Sequence, residues 1–137
     1  MIKEYYYSGR ANNCQLTDDD YYNELARLSV GYDIDYIGID PSAASMIATI
    51  KKHGQFSVKK AKNDVLNGIR SVASLIAQER LYVHISCKNT IAEFQSYLWD
   101  TKSTEDRPVK DNDHAMDALR YFVNTAMARS NFVLIGG

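Results

Sequence analysis

The chain is poor in the residues that usually announce a special chemistry. Its two cysteines, Cys14 and Cys87, stand in no CxxC or Cys/His pattern. They suit thiols in a reducing compartment and need no function. No stretch approaches the roughly 20 consecutive apolar residues of a membrane span. The opening, Met1 to Tyr7, lacks the basic-then-apolar order of a secretory signal. A soluble intracellular protein is therefore expected. Neither a GxxxxGK[ST] phosphate loop nor a GxGxxG fingerprint occurs, so nothing supports an ATP motor or a dinucleotide site. No internal repeat is visible.

What is present is a composition that can fold. With 137 residues, 45% hydrophobic and 24% charged, the chain reads as a single domain with a real core. The net charge is −1, but it is unevenly spread. Residues 1–50 carry three basic and eight acidic side chains, residues 51–110 eleven basic and six acidic. Lys51, Lys52, Lys59, Lys60 and Lys62 lie close together in that basic half. They are candidates for a phosphate-facing surface, against the plainer reading of a solvated lysine face.

Periodicity and punctuation define the elements. Residues 2–8 read as a tyrosine-rich strand and residues 9–15 as a polar loop. Thr17 and the acids after it start a helix that runs to about residue 30, with Tyr21, Leu25 and Leu28 on one face. A short buried strand at 36–40 leads into a helix at 42–53 that Gly54 stops. Residues 56–60 form another strand. A helix over 64–78 turns Val65, Leu66, Ile69, Val72, Ala73 and Ile76 inward. A strand at 81–85 precedes a helix at 90–99 with Ile91, Phe94 and Leu98 inward. Residues 100–109, with Pro108, read as a loop, and 112–127 as the last helix. Alternating strands and helices favour an α/β fold with parallel pairing. His84 reads as a core histidine and His53 as a partner of a helix dipole. Tyr5, Tyr6 and Tyr7 need not form a stacking platform.

The chemistry gathers at two places. Asp40 ends an apolar strand just before Pro41 and a helix start, where open parallel sheets bind ligands. In Asp113-His114-Ala115-Met116-Asp117, His114 and Asp117 lie three residues apart and share one helix face. Converging carboxylates and an imidazole suit divalent cations, and such ions hydrolyse phosphodiesters by activating water and stabilising the leaving oxygen. Asp113 is a further candidate ligand, and Asp111 lies nearby, though both also suit helix capping. Arg120, one turn beyond Asp117, is placed to pair with it in a purely structural bridge.

The runs IGIDPSAASMIATIKKHG, HISCKNTIAEFQSYLWD and PVKDNDHAMDALRYFV, together with KEYYYSGR and the helix after it, resemble the C-terminal nuclease domain of tailed-bacteriophage terminase large subunits. The resemblance covers nearly the whole chain, with the segments in the family's order. It implies a ribonuclease H-like mixed sheet flanked by helices, and a metal-dependent endonuclease that cuts concatemeric DNA during genome packaging. It places Asp40 at an essential aspartate and His114 and Asp117 at a functional pair, with Asp40, Asp117 and His114 as ligands of Mg2+ or Mn2+ and two ions in the complete domain. Double-stranded DNA would lie against Lys51, Lys52, Lys59, Lys60, Lys62 and Lys110. The implied partners are a small terminase subunit and a portal, in the cytoplasm of a bacterial host.

One departure stands out. The family's domain opens with a strand bearing another essential aspartate, then a second strand, whereas this chain begins at what reads as the third. No residue here is expected to match that acid, and no segment reads as the family's ATPase domain. The expectation is one domain over residues 1–137, incomplete at its N-terminus and lacking the first strands, with little or no activity alone. Its unpaired sheet edges suggest a homodimer through strand pairing. The competing expectation is a non-catalytic prophage remnant or a DNA- or protein-binding module on the same fold. A junction resolvase or transposase is a weaker third.

Overall fold

The computed structural model describes residues 1–100 and 113–126. The chain divides into two units, residues 5–63 and residues 1–4 together with those from Asp64 onward. We call them the strand unit and the helical unit.

The strand unit contains α1 (Gly9–Asn12), α2 (Asp18–Ser29), β1 (Ile37–Ile39), α3 (Ala44–His53) and β2 (Val58–Lys60). β1 and β2 pair in parallel, with Ile37 opposite Val58 and Ile39 opposite Lys60, and α3 as the crossover. Thr17 and Asp20 close a reciprocal capping box at the start of α2. Gly54 ends α3 at φ 71°, a left-handed conformation that favours glycine. The buried residues are Tyr22, Ile47, Ile50 and Ala61. Tyr22 is the inward tyrosine of α2. It stacks on His53 with ring centroids 3.8 Å apart, and its hydroxyl donates to Gln55 Oε1 at 3.0 Å. His53 sits in the last turn of α3, as expected, and also faces Asp19 Oδ1 at 3.1 Å.

The helical unit is built from α4 (Val65–Ala77), α5 (Lys88–Asp100) and α6 (His114–Ala126). Its core joins Val72 and Leu75 of α4, Leu81, and Met116, Leu119 and Val123 of α6, with Met1, Ile76 and Phe94 packed against them. The inward face of α4 is Gly68, Val72 and Leu75, while the expected Val65, Leu66 and Ala73 are exposed. Gly68 sets this face. A Cβ there would overlap Arg120 Cγ and come within 2.7 Å of Arg120 Cδ, so only glycine admits the arginine stem of α6. On α5 the buried side chains include Cys87 just before the helix, Thr90 and Glu93, with Ile91 and Phe94 only half-buried.

Three expectations need correction. Residues 2–8 and 81–85 form no strand, and Ile85 lies in a turn. Next to them the Met1 ammonium donates to Tyr82 O (2.6 Å) and His84 N donates to Met1 O (2.8 Å), too few bonds for a ladder. His84 is accordingly exposed rather than a core residue, its Nδ1 2.7 Å from Ser86 Oγ. The loop expected at 9–15 contains α1, which Ser8 caps and Asn13 ends in a left-handed conformation. The sheet of the described residues is the parallel pair alone. The loop expected at 100–109, Asp111 and Lys110 lie almost wholly outside the described residues.

Candidate metal and DNA site

Asp40 follows β1 directly, so the strand delivers its carboxylate to the carboxyl end of the sheet. The next residues lock it. Ser42 N and Ser42 Oγ both donate to Asp40 Oδ1 at 2.8 Å, and Ala43 N donates to Asp40 O at 3.0 Å. This is an Asx turn, with Pro41 supplying the fixed φ of its corner.

In the helical unit, Asp113 sits just before α6, and its carbonyl accepts from Asp117 N at 2.8 Å. His114 and Asp117 occupy the first turn of α6, His114 exposed and Asp117 half-buried. The expected Asp117–Arg120 bridge is present, with Arg120 Nη2 donating to Asp117 Oδ1 at 2.8 Å. Arg120 is only 5% exposed and also lies over the Tyr121 ring at 4.7 Å. Burial by itself would lower the pKa of the guanidinium. The hydrogen bond and charge of Asp117 outweigh that and raise it above its ordinary value. Asp117 thus has a structural partner besides any ion it holds.

The sequence reading assigned no role to Glu93. Its Oε2 accepts from Ala115 N at 2.7 Å and Met116 N at 3.1 Å. These are the amides a capping side chain at Asp113 would take, so the cap of α6 comes from α5 instead. The one available signal was a glutamate at i+3 from Thr90 on a helix whose buried side proves partly polar.

Within neither unit do three or more His, Cys, Asp or Glu side chains gather closely enough to hold an ion, among the described residues. In the helical unit His114 and Asp117 share the first turn of α6 with Asp113 just before it, and Asp40 belongs to the strand unit. The candidate lysines are all in the strand unit apart from Lys110. Lys51 and Lys52 are exposed in the last turn of α3, where positive charge also suits the helix dipole. Lys60 and Lys62 are exposed. Lys59 holds its Nζ 3.7 Å over the Tyr36 ring, and it and Lys60 project to opposite faces of β2. The lysines therefore do not make one uniform patch.

Residues 17–126 match the family described as the terminase RNaseH-like domain. The chain belongs to this family. It is 32% identical over 96 residues to the terminase large subunit of Escherichia phage T5, a match that covers 66% of this chain and 22% of that protein. Two structures of the large terminase from a thermophilic bacteriophage, one of them in complex with ADP, share 43% identity with it. Their TM-scores are 0.80 and 0.81, over 90% of this chain and 32% of theirs. This terminase domain thus spans less than a third of the length of these relatives. The ribonuclease H-like fold expected from its motifs is borne out, and β1, α3 and β2 are its parallel crossover. No helix among the described residues is long and apolar enough to cross a membrane.

Proposed function

We propose that this terminase domain acts in DNA packaging as a metal-dependent endonuclease. The observation that supports it most is that one chain carries both a turn-locked aspartate at a strand's carboxyl end, Asp40, and an i, i+3 His114/Asp117 pair on the first turn of α6. Carboxylate oxygens with one imidazole nitrogen suit Mg2+ or Mn2+. Asp40, Asp117 and His114 would hold such ions, with Asp113 as a further ligand. When bound, they supply an activated water and stabilise the leaving oxygen. The chain's own part is to hold these donors in place, Asp40 by its turn and Asp117 by Arg120. His114, exposed at the helix start, would coordinate an ion or pass a proton. Lys51, Lys52, Lys60 and Lys62, with Lys110, carry the phosphate backbone of double-stranded DNA, and Lys59 contributes less because it is engaged with Tyr36.

Asp40, Asp117 and His114, even with Asp113 beside them, are a sparse set for a pair of cations, so cleavage by this chain alone is expected to be slow. A small terminase subunit and a portal are the packaging partners in this reading, the cytoplasm of a bacterial host is its place, and a homodimer through the edges of the β1–β2 sheet completes it. The alternative, a DNA- or protein-binding module without turnover, draws support from the engagement of Asp117 with Arg120. Incubation of supercoiled plasmid with Mn2+ separates the two. The endonuclease reading expects slow cleavage that Asp40→Asn and chelation abolish. Salt-sensitive DNA binding with no cleavage under any metal would favour the binding module.

A further inference from the structure

We infer that Glu93 is the positioning residue of the candidate metal site. Its carboxylate fixes the first turn of α6, and with it the directions in which His114 and Asp117 project. The inference rests on the metal-site reading above and deepens it.

Four observations carry it. Ala115 and Met116, whose amides Glu93 Oε2 accepts at 2.7 and 3.1 Å, are the two residues between His114 and Asp117. Whatever sets those two peptide groups sets the pair that flanks them. The first amides of a helix have no partner within it and form its positive end, so a carboxylate there is held by hydrogen bonds and by the dipole together. Glu93 is 8% exposed, and its Oε1 has no hydrogen-bond partner among the described residues. Leaving a carboxylate oxygen buried and unpaired is unfavourable, so stability alone does not explain this side chain.

The fourth observation is a contrast inside the same unit. Glu4 caps α5 in the same manner, accepting from Asn89 N at 2.8 Å and Thr90 N at 2.9 Å. It also takes Asn89 Nδ2 at 3.1 Å and Thr90 Oγ1 at 2.8 Å, so both its oxygens are used. Glu4 does everything a cap requires on a helix that carries no candidate site residue. Glu93 caps with one oxygen, from a buried position, on the helix that carries two. Arg120 grips Asp117 through its side chain, and Glu93 grips the intervening backbone.

The test measures Mn2+ affinity of the full chain by calorimetry, at a temperature where each variant is folded. Glu93→Ala is expected to weaken Mn2+ binding by about 10-fold or more, the usual effect of removing a partner behind the metal ligands. Glu93→Gln keeps an acceptor oxygen for the same amides and should recover most of the affinity. Glu4→Ala should lower stability and leave Mn2+ affinity unchanged. Should Glu93→Ala fail to fold, Glu93→Asp, which withdraws the carboxylate by one methylene, is read in the same way. Native affinity in folded Glu93→Ala, or equal losses in the Glu93 and Glu4 variants, overturns the inference.

If the native chain shows no Mn2+ binding that Asp117→Asn removes, the metal reading fails separately. Amide exchange then decides the role of Glu93. Faster exchange at Ala115 and Met116 in Glu93→Ala, reversed in Glu93→Gln, sustains it as the residue that sets this turn. Unchanged exchange overturns it.

Discussion

In the strand unit, Asp40 is held by the residues that immediately follow it, Ser42 through its amide and hydroxyl and Ala43 through its amide. In the helical unit, the His114/Asp117 turn is held by groups brought from elsewhere: Glu93 of α5 on the backbone, Arg120 on the carboxylate, and Gly68 of α4 making room for Arg120. One aspartate is placed by a local turn, the other by packing. The difference implies that Asp40 can change with little effect on the fold, while the turn at Asp117 is tied to the stability of its whole unit.

The largest effect should come from the core that carries α6. Leu119→Ala, at a buried position of that core, is expected to lower unfolding free energy by about 2–5 kcal/mol in urea titrations. Gly68→Ala should cost about 1–3 kcal/mol, because the added methyl group displaces the Arg120 stem. A fully stable Gly68→Ala would show that α4 does not govern the site turn. Next, Asp117→Asn removes the charge partner of a buried guanidinium and should cost about 1–2 kcal/mol. Asp40→Asn keeps an acceptor for Ser42 and should cost less than about 0.5 kcal/mol. Equal losses at the two aspartates would erase the contrast between the units.

The smallest effect is one of pH. Burial would raise the pKa of Glu4, but its hydrogen bonds from Thr90 and Asn89 outweigh that and hold the carboxyl below its ordinary value. Between the lowered folded pKa and the ordinary one, the unfolded chain binds more protons. The Glu4 contribution is therefore complete above the ordinary carboxyl range and is lost as pH falls through the folded pKa. Urea midpoints from about pH 3 to pH 7 should fall toward acid less steeply in Glu4→Gln than in the native chain. Parallel profiles would remove Glu4 as a titrating lock.

The same contrast explains what could be read from the sequence. Helices α2, α3, α4 and α6 lie within two residues of their expected bounds wherever these are described, because their signals are local: Thr17 and the acids after it, Gly54, and the apolar period of α4. The place of Asp40 at a strand's end, the shared turn of His114 and Asp117, and the Arg120 bridge were legible for the same reason, each following from local spacing. Most of the misreadings turn on distant partners; α1 does not, since Ser8 and Asn13 at its own ends define it. Residues 2–8 and 81–85 have strand-like composition, but composition does not report how many ladder bonds a partner offers. Which residues of α4 face inward depends on Arg120 fitting over Gly68. Glu93 looks like a surface glutamate until α6 is placed against α5, and no spacing rule links it to Ala115 and Met116.

The most direct test of the central claim is Mn2+ binding by calorimetry on the native chain and on Asp40→Asn, the aspartate that can be changed with the least effect on folding. The account predicts binding in the native chain that Asp40→Asn removes or weakens at least about 10-fold while the variant remains folded. Identical isotherms for the two proteins would contradict it, and would mean that the terminase fold is present here without Asp40 as a metal ligand.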